Sequence, residues 1–381
     1  MSDPRLDPIE LLSRLVAIDT TSSRSNLPLI ELLERELAQL GFHNTRQEWT
    51  DASGVRKANL IALRAPAPGQ PLEAAGLALV GHSDCVPFDP AWSFALAGNV
   101  DSGRLYGRGS ADTKGFISAA LSAAAQTRAH RQPLAVIITA DEELGCLGAK
   151  RLVDFFAASK LPRPRRAIIG EPTRMIPVRG HKGYCLAEIE ISGAEGHSAY
   201  PETGASAILA AGRLLRDLEE LAEQLKQDSD PLFNPPYTTL NVGLLQGGTA
   251  KNVIPGSCRM TLEWRPLPGQ DVRVVLTEVE KRCARLSVGR IRAAVKPSRL
   301  DAGVAAPVGE LIQFLEAKTK NGAETIPFGT ELPQLTLLGA EACVFGPGDI
   351  RVAHRTGEFA PVEEVDAAAQ ILAEAIARFC S

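Results

Sequence analysis

The chain of 381 residues has no long apolar run, little net charge and no paired cysteine motif, and each absence excludes a class of protein. Its apolar runs are strand-sized, well short of the roughly 20 residues that a membrane helix needs, so we expect no membrane partner. The net charge of −4 argues against a nucleic-acid partner. The N-terminal segment MSDPRLDPIELL lacks the basic and apolar regions of a signal peptide, which predicts a cytoplasmic protein.

Several catalytic signatures are also missing from the sequence. No HExxH, GxSxG or phosphate-binding glycine motif occurs, which disfavours a helix-borne zinc protease, a serine hydrolase and a nucleotide-binding enzyme. The seven cysteines are an odd number and stand singly, so we expect reduced thiols that are mostly buried as small apolar residues. Cys85 and Cys146 lie close in sequence to candidate site residues, but the sequence assigns neither of them a role.

The features that are present predict two domains. Hydrophobic residues make up 45% and charged residues 23% of a chain long enough for two cores. Short apolar strands alternate with helices over residues 1–179 and 295–381, which predicts an α/β catalytic domain with a largely parallel sheet. Residues 180–294 have the order β-α-β-β-α-β, which predicts an inserted α+β domain of the ferredoxin-like type. An exposed edge of that second sheet would favour dimerisation.

Acidic and histidine side chains follow the apolar strands of the predicted α/β domain. Because parallel strands end at the same edge of a sheet, we expect these side chains to lie close together. Mixed nitrogen and oxygen ligands suit zinc, cobalt or manganese. The segments are GHSDCVP with His82 and Asp84, GSADTKG with Asp112, DEELG with Glu142 and Glu143, GEPT with Glu171, and VAHRTGEF with His354.

Each of these segments, taken alone, also has a structural explanation. His82 could be a hydrogen-bonded surface histidine, Asp112 a helix N-cap, and the acidic pair a solvated loop. The functional interpretation divides the work of the pair: one glutamate binds metal and its neighbour takes a proton from the attacking water.

Five motifs in order, GHSDCVP, GRGSADTKG, DEELG, GEPT and the late histidine His354, resemble the M20 family of two-zinc amidohydrolases and peptidases along the whole chain. The resemblance implies a zinc-peptidase-like α/β/α catalytic domain with an inserted dimerisation and lid domain. It implies hydrolysis of an amide bond in an N-acyl amino acid, first of all N2-acetyl-L-ornithine of arginine biosynthesis. N-Acetylcitrulline, N-succinyl-diaminopimelate, other N-acyl amino acids and dipeptides remain open as alternative substrates.

The resemblance also implies a metal-ligand set. His82 and Glu171 would bind one metal ion, His354 and Glu143 would bind the other, and Asp112 would bridge the two. The expected metals are two Zn²⁺ ions, with Co²⁺ or Mn²⁺ as alternatives. In the family, the peptide bond after the bridging aspartate is typically cis.

Further residues take their expected roles from the same resemblance. Glu142 would be the general base, and Asp84 would orient the first histidine ligand. His197 would stabilise the oxyanion from the second subunit of a homodimer. The residues expected to contact the substrate are Asn252, Arg265, Thr330 and Glu331.

A non-catalytic binding protein on the same scaffold would be expected to lack the base or a ligand. All of these residue types are present, so the sequence favours an enzyme. A positively charged ornithine side chain would need an acidic or carbonyl-lined pocket. Asp349, Glu331 and Glu358 are candidates for that pocket, and the sequence does not rank them.

Overall fold

The computed structural model describes residues 6–66, 74–127 and 131–380. Within these ranges, no helix combines the length and the apolar character needed to cross a membrane. The helices are α1 (Pro8–Val16), α2 (Leu27–Gln39), α3 (Gly115–Gln126), α4 (Leu147–Ala158), α5 (Ala207–Leu225), α6 (Arg273–Leu286), α7 (Glu310–Thr319), α8 (Leu332–Leu337) and α9 (Val362–Phe379). The strands are β1 (His43–Thr50), β2 (Arg56–Arg64), β3 (Ala74–Ala75), β4 (Leu77–His82), β5 (Asn99–Asp101), β6 (Arg104–Tyr106), β7 (Leu134–Thr139), β8 (Arg163–Pro164), β9 (Arg166–Ile169), β10 (Val178–His181), β11 (Tyr184–Ser192), β12 (Gly196–His197), β13 (Thr239–Gly247), β14 (Val253–Ile254), β15 (Ser257–Arg265), β16 (Arg292–Asp301), β17 (Val304–Ala305), β18 (Glu324–Ile326), β19 (Glu341–Val344) and β20 (Phe359–Pro361).

The chain divides into two compact units. The first unit contains residues up to 179, then Ala306–Glu324, and then the chain from Thr330 onward. The second contains Gly180–Ala305 and Thr325–Gly329. The return to the first unit therefore lies later than the predicted position between residues 294 and 295.

The difference has a physical cause in strand β16. The sequence of residues 291–295 predicts a short strand there, whereas β16 continues to Asp301 and pairs with β11 over its length. Pro297 interrupts the apolar pattern, and it is tolerated because β16 is an edge strand with an irregular register opposite Leu186 and Ala187.

The first unit contains a sheet with the strand order β1-β2-β7-β4-β9-β19-β10. The four strands β7, β4, β9 and β19 run parallel, while β1 and β2 are antiparallel additions. Every residue of β4 and β7 is buried, as expected for parallel strands that are covered on both faces. The carboxyl ends of the parallel strands consequently lie along one edge.

Helices cover both faces of this sheet. Leu134, Val136 and Ile138 of β7 point to one face, where they join a core that includes α1, α2, α3, α7 and α9. The opposite face is covered by α4 and α8, which pack on each other and on β7 and β19 respectively. The predicted α/β/α class is confirmed.

Local chemistry sets the helix boundaries. Asp7 caps α1 by accepting hydrogen bonds from the amides of Ile9 and Glu10, and Pro8 occupies the first helical turn. The chain leaves α2 at Gly41, whose φ of +81° is left-handed and favours glycine. The Ala-rich sequence of residues 115–129 predicts a helix, and α3 is described from Gly115 to Gln126, while residues 128–129 lie outside the described residues.

The second unit is an antiparallel sheet with the order β13-β15-β11-β16 and two helices, α5 and α6. Alternate residues of β11 are buried against the helices, so one face of the sheet forms the core. The chain order β11-α5-β13-β15-α6-β16 is the ferredoxin-like arrangement, and the prediction is confirmed. The edge strand β13 exposes Leu244 and Leu245 by 61% and 50%.

Candidate active site

The parallel strands bring acids and histidines to one edge of the first unit's sheet. The interiors of these strands are apolar, and the polar side chains follow where each strand ends. The residues are His82 at the end of β4, Glu142 and Glu143 after β7, Glu171 after β9, and His354 in the loop that follows β19.

The loop after β19 approaches the other segments through its glycines. A Cβ atom on Gly346 would lie 2.7 Å from the carbonyl oxygen of Glu171, so only glycine fits there. Gly348 has a φ of +94° and would meet the Cβ of Ala111 at 3.0 Å. This close passage brings His354 beside the segment that carries Asp112.

Asp112 lies between the two histidines. Its Oδ1 is 2.9 Å from Nε2 of His82, and its Oδ2 is 3.3 Å from Nε2 of His354. The same nitrogen of His354 is 2.9 Å from Oε1 of Glu143. The peptide bond from Asp112 to the next residue is cis, as the family resemblance implies.

Asp84 makes different contacts from those expected. Its main-chain carbonyl oxygen lies 3.0 Å from Nδ1 of His82, whereas its nearer carboxylate oxygen is 3.7 Å away. The carboxylate instead accepts hydrogen bonds from the amides of Glu142 and Glu143 and from the Ser22 hydroxyl. Asp84 therefore holds His82 through its main chain and the acidic pair through its side chain. With Nδ1 donating to the carbonyl, Nε2 of His82 keeps a lone pair for a metal ion.

The environment of several acids in this cluster disfavours their ionised form. Burial, together with Glu143, Glu331 and Asp112, raises the pKa of Glu142 to about 8, although His82 opposes the shift. Burial and Asp112 raise the pKa of Glu171 well above its ordinary value. Acids packed this closely require cations or protons for compensation.

The pKa values of the histidines and Asp112 shift in the opposite sense. Hydrogen bonds to Asp112 and Glu143 raise the pKa of His354 to about 10. Burial opposes ionisation of Asp112, but hydrogen bonds with His354 and His82 outweigh it and hold the pKa of Asp112 below its usual range. The carboxylate of Asp112 thus favours a positively charged group on each of its two sides.

The residues fit a pair of metal ions. His82, Asp112 and Glu171 offer ligand atoms that lie within 4.8 Å of one another, and so do Asp112, Glu143 and His354. Each group supplies one imidazole nitrogen and two carboxylates, a donor set that suits zinc and also cobalt or manganese. Asp112 belongs to both groups, so its two oxygens can face two ions.

Two supporting contacts were not expected from the sequence. The thiol of Cys146 donates to Oε1 of Glu142 across 3.3 Å. The carboxylate of Glu358 accepts from Arg108 at 2.5 Å and from the amides of Ala111 and Asp112 at 3.2 and 3.3 Å. Glu358 therefore fixes the turn that presents Asp112. Only the proximity of Cys146 to the acidic pair could have been noticed in the sequence.

The second unit carries the expected oxyanion donor and two of the four expected substrate residues. His197 is exposed on β12, which pairs with β14, and the carbonyl of Asn252 accepts from the amide of Ser198. Arg265 ends β15, where it pairs with Glu263 at 2.8 Å and stacks over the Tyr184 ring at 4.6 Å.

Thr330 and Glu331 directly precede α8 in the first unit, and both are buried. Thr330 accepts from the amide of Leu332. Glu331 contributes to the raised pKa of Glu142, so its carboxyl group lies within electrostatic reach of the acidic pair.

Comparison with known proteins places this fold in a known class. Residues 179–290 match the family model described as a peptidase dimerisation domain. The chain resembles solved structures of a Staphylococcus aureus tripeptidase (TM-score 0.78, 21% identity, 99% of this chain and 100% of that chain) and of a Bacillus subtilis dinuclear metal-binding peptidase of the M20 family (TM-score 0.70, 16% identity, 98% and 97%).

Whole-chain relatives define the family. The acetylornithine deacetylase of Myxococcus xanthus is 52% identical over 374 residues, which cover 97% of this chain and 96% of the relative. That of Proteus mirabilis is 35% identical and covers 98% and 96%. The chain therefore belongs to the M20 family of metal-dependent hydrolases, as the sequence motifs predict.

Proposed function

We propose that this chain is a two-metal deacetylase that hydrolyses N2-acetyl-L-ornithine to L-ornithine and acetate. The observation that carries the proposal is the shared carboxylate of Asp112, which stands between two histidine-containing groups with Glu142 alongside. The substrate is taken from the relatives that match the whole chain, which are named acetylornithine deacetylase.

The first metal ion would be held by His82, Asp112 and Glu171, and the second by Asp112, Glu143 and His354. Bound divalent ions, Zn²⁺ by our proposal and otherwise Co²⁺ or Mn²⁺, would make a water molecule acidic and polarise the amide carbonyl.

Glu142 is proposed as the general base. It accepts a proton from the attacking water and later returns a proton to the leaving nitrogen, which allows the tetrahedral carbon to collapse to products. Asp84 keeps the base in place through the Glu142 amide, and Cys146 through the carboxylate.

His197 is proposed as the donor to the oxyanion. Its Nδ1 accepts a hydrogen bond from the amide of Ala199 at 3.1 Å, so the neutral ring carries its proton on Nε2. An exposed N–H donor of this kind can stabilise developing negative charge. Asn252 and Arg265 are proposed to bind the substrate's carboxylate or carbonyl groups, while Thr330 and Glu331 are proposed to line the substrate site.

We further propose a cytoplasmic homodimer. The matched dimerisation domain and the exposed leucines of the β13 edge support association through the second unit. The seven cysteines are all buried and none forms a disulfide, which suits a reducing compartment.

A substrate panel tests the proposal. The protein is reconstituted with Zn²⁺, Co²⁺ or Mn²⁺ and assayed with N-acetylornithine, N-acetylcitrulline, N-succinyl-diaminopimelate, N-acetylmethionine and a dipeptide. We expect N-acetylornithine to have the highest kcat/KM, and chelator-treated protein to be inactive. A higher kcat/KM for another member of the panel would assign that activity instead.

A further inference from the structure

An acidic side chain beside the acidic pair lacks a partner of its own. Glu331 is 1% exposed, yet neither of its carboxylate oxygens accepts a hydrogen bond from any residue that the structure describes. The Thr139 hydroxyl is close enough to lower its pKa, but forms no hydrogen bond of normal geometry with it. A carboxylate in this situation is costly unless a donor or a cation arrives.

A second unpartnered oxygen lies one helical turn away. Oε1 of Gln334 is buried and also accepts no hydrogen bond. Glu331 is the N-cap of α8 and Gln334 lies three residues further along, in its first turn, where the Gln334 amide donates to the Glu331 carbonyl. Leu332 and Leu335 are fully buried and anchor this turn in the core.

The contacts distinguish the three acids that could receive a cationic side chain. Asp349 is already paired with Arg351, whose Nε and Nη2 lie 2.5–3.0 Å from its carboxylate. Glu358 is committed to Arg108 and two main-chain amides. Of these three described acids, Glu331 is the one whose oxygens have no hydrogen-bond donor.

Glu331 also acts on the reaction centre electrostatically. Its charge raises the pKa of Glu142, and its own pKa responds to His82 and Asp84. These interactions connect it with both the proposed base and the first histidine ligand. The preceding residues 327–330 form neither helix nor strand.

We propose that Glu331, assisted by Gln334, binds the side-chain ammonium of the substrate and so selects amino acids with a cationic side chain. The inference rests on the proposed deacetylase function and assigns its side-chain specificity. An ammonium has three N–H donors and no acceptor, which matches a cluster of acceptor oxygens without donors. Water is largely excluded here, so a charge-assisted hydrogen bond would discriminate strongly against a methyl group.

The test compares N-acetylornithine with N-acetylnorleucine, in which a methyl group replaces the ammonium. For the metal-loaded wild type we expect kcat/KM to favour N-acetylornithine by about 100-fold, in line with the worth of a hydrogen bond to a charged group. In Glu331→Gln, kcat/KM should fall for N-acetylornithine and stay unchanged for N-acetylnorleucine, so that most of the preference is lost. Glu331→Asp should keep part of the preference. Asp349→Asn is the matched control, because that acid is already paired, and it should leave the ratio unchanged.

Binding of L-ornithine and L-norleucine to each metal-loaded variant, measured by calorimetry, provides a readout that does not depend on turnover. Ornithine affinity should fall in Glu331→Gln while norleucine affinity stays the same. If Glu331→Gln lowers turnover of both substrates equally, or of neither, the inference is overturned while the deacetylase proposal stands. If Glu331→Gln fails to fold, an Asp variant with an unchanged ratio overturns the inference equally. A wild type that does not deacetylate N-acetylornithine overturns the proposed function, and this inference with it.

Discussion

Replacing Glu358 with alanine should destabilise the first unit far more than removing an ordinary surface acid. The carboxylate of Glu358 is 1% exposed and is the acceptor for Arg108 and for the amides of Ala111 and Asp112. Glu358→Ala therefore leaves a buried guanidinium without its counter-charge and two amides without this acceptor. Breaking a buried ion pair in this way costs about 3–5 kcal/mol. The cost of leaving the two amides without this acceptor is not simply added to that figure, because the contributions of neighbouring contacts are not additive.

The measurement is urea unfolding of the metal-free protein, followed by circular dichroism, with the midpoint and the slope fitted separately. Glu374→Ala serves as the control, since its partner Lys318 and Glu374 itself are 41% and 52% exposed. That surface pair should contribute at most about 1 kcal/mol. Glu358→Gln, which keeps an acceptor oxygen for the amides, should fall between the two. A Glu358→Ala protein no less stable than the control would refute the argument that this pair anchors the Asp112 turn.

Glu142→Gln should reduce kcat by at least about 100-fold while elemental analysis finds the same metal content, and normal turnover would rule out the general-base role. Cys146→Ala should reduce kcat several-fold because Glu142 loses a donor, whereas Cys146→Ser should restore it; equal rates in both variants would show that the thiol does not position the base. Adding Zn²⁺ at about 100 times its Kd should stabilise the apoprotein by about 2.7 kcal/mol per site, measured as a rise in Tm, and an unchanged Tm would contradict the two-metal assignment. Burial and Arg265 lower the pKa of Lys182 from 10.5 to about 8, so the unfolded chain binds more protons between these values. The free energy of unfolding should accordingly rise between pH 8 and pH 10.5 in the wild type relative to Lys182→Met, and parallel curves for the two proteins would exclude this linkage.

The fold class was predictable because periodicity reports burial directly. The fully buried strands β4 and β7 have continuous apolar sequences, while β11 alternates because only one of its faces is covered. The polar edge strand β1 was not predicted, since its sequence HNTRQEWT has no apolar face and its pairing with β2 comes from tertiary structure. The second half of β16 was likewise not predicted, because Pro297 interrupts its apolar pattern.

The candidate metal ligands were predictable for a different reason. A polar residue that follows an apolar strand falls at the edge of the sheet, so strand positions bring His82, Glu143 and Glu171 near one another. The division into two ligand groups, with Asp112 shared, came from the family resemblance. The supporting contacts have no such signal. Arg108 and Glu358 are 250 residues apart, and neither lies in a pattern that names its partner. The carboxylate of Asp84 faces the amides of Glu142 and Glu143 only because β4 and β7 are neighbours in register.

The position of the insertion separates the two candidate metal-binding groups by their order of synthesis. His82, Asp112 and Glu171 all precede the second unit, and β9 can join β4 before any later strand exists. The group that contains His354 must wait until β19 has returned and paired with β9. A nascent chain can therefore assemble one metal-binding group early, whereas the other forms only after the whole second unit has been made. We therefore expect a metal ion to bind at the second candidate group only after the chain has been made as far as His354.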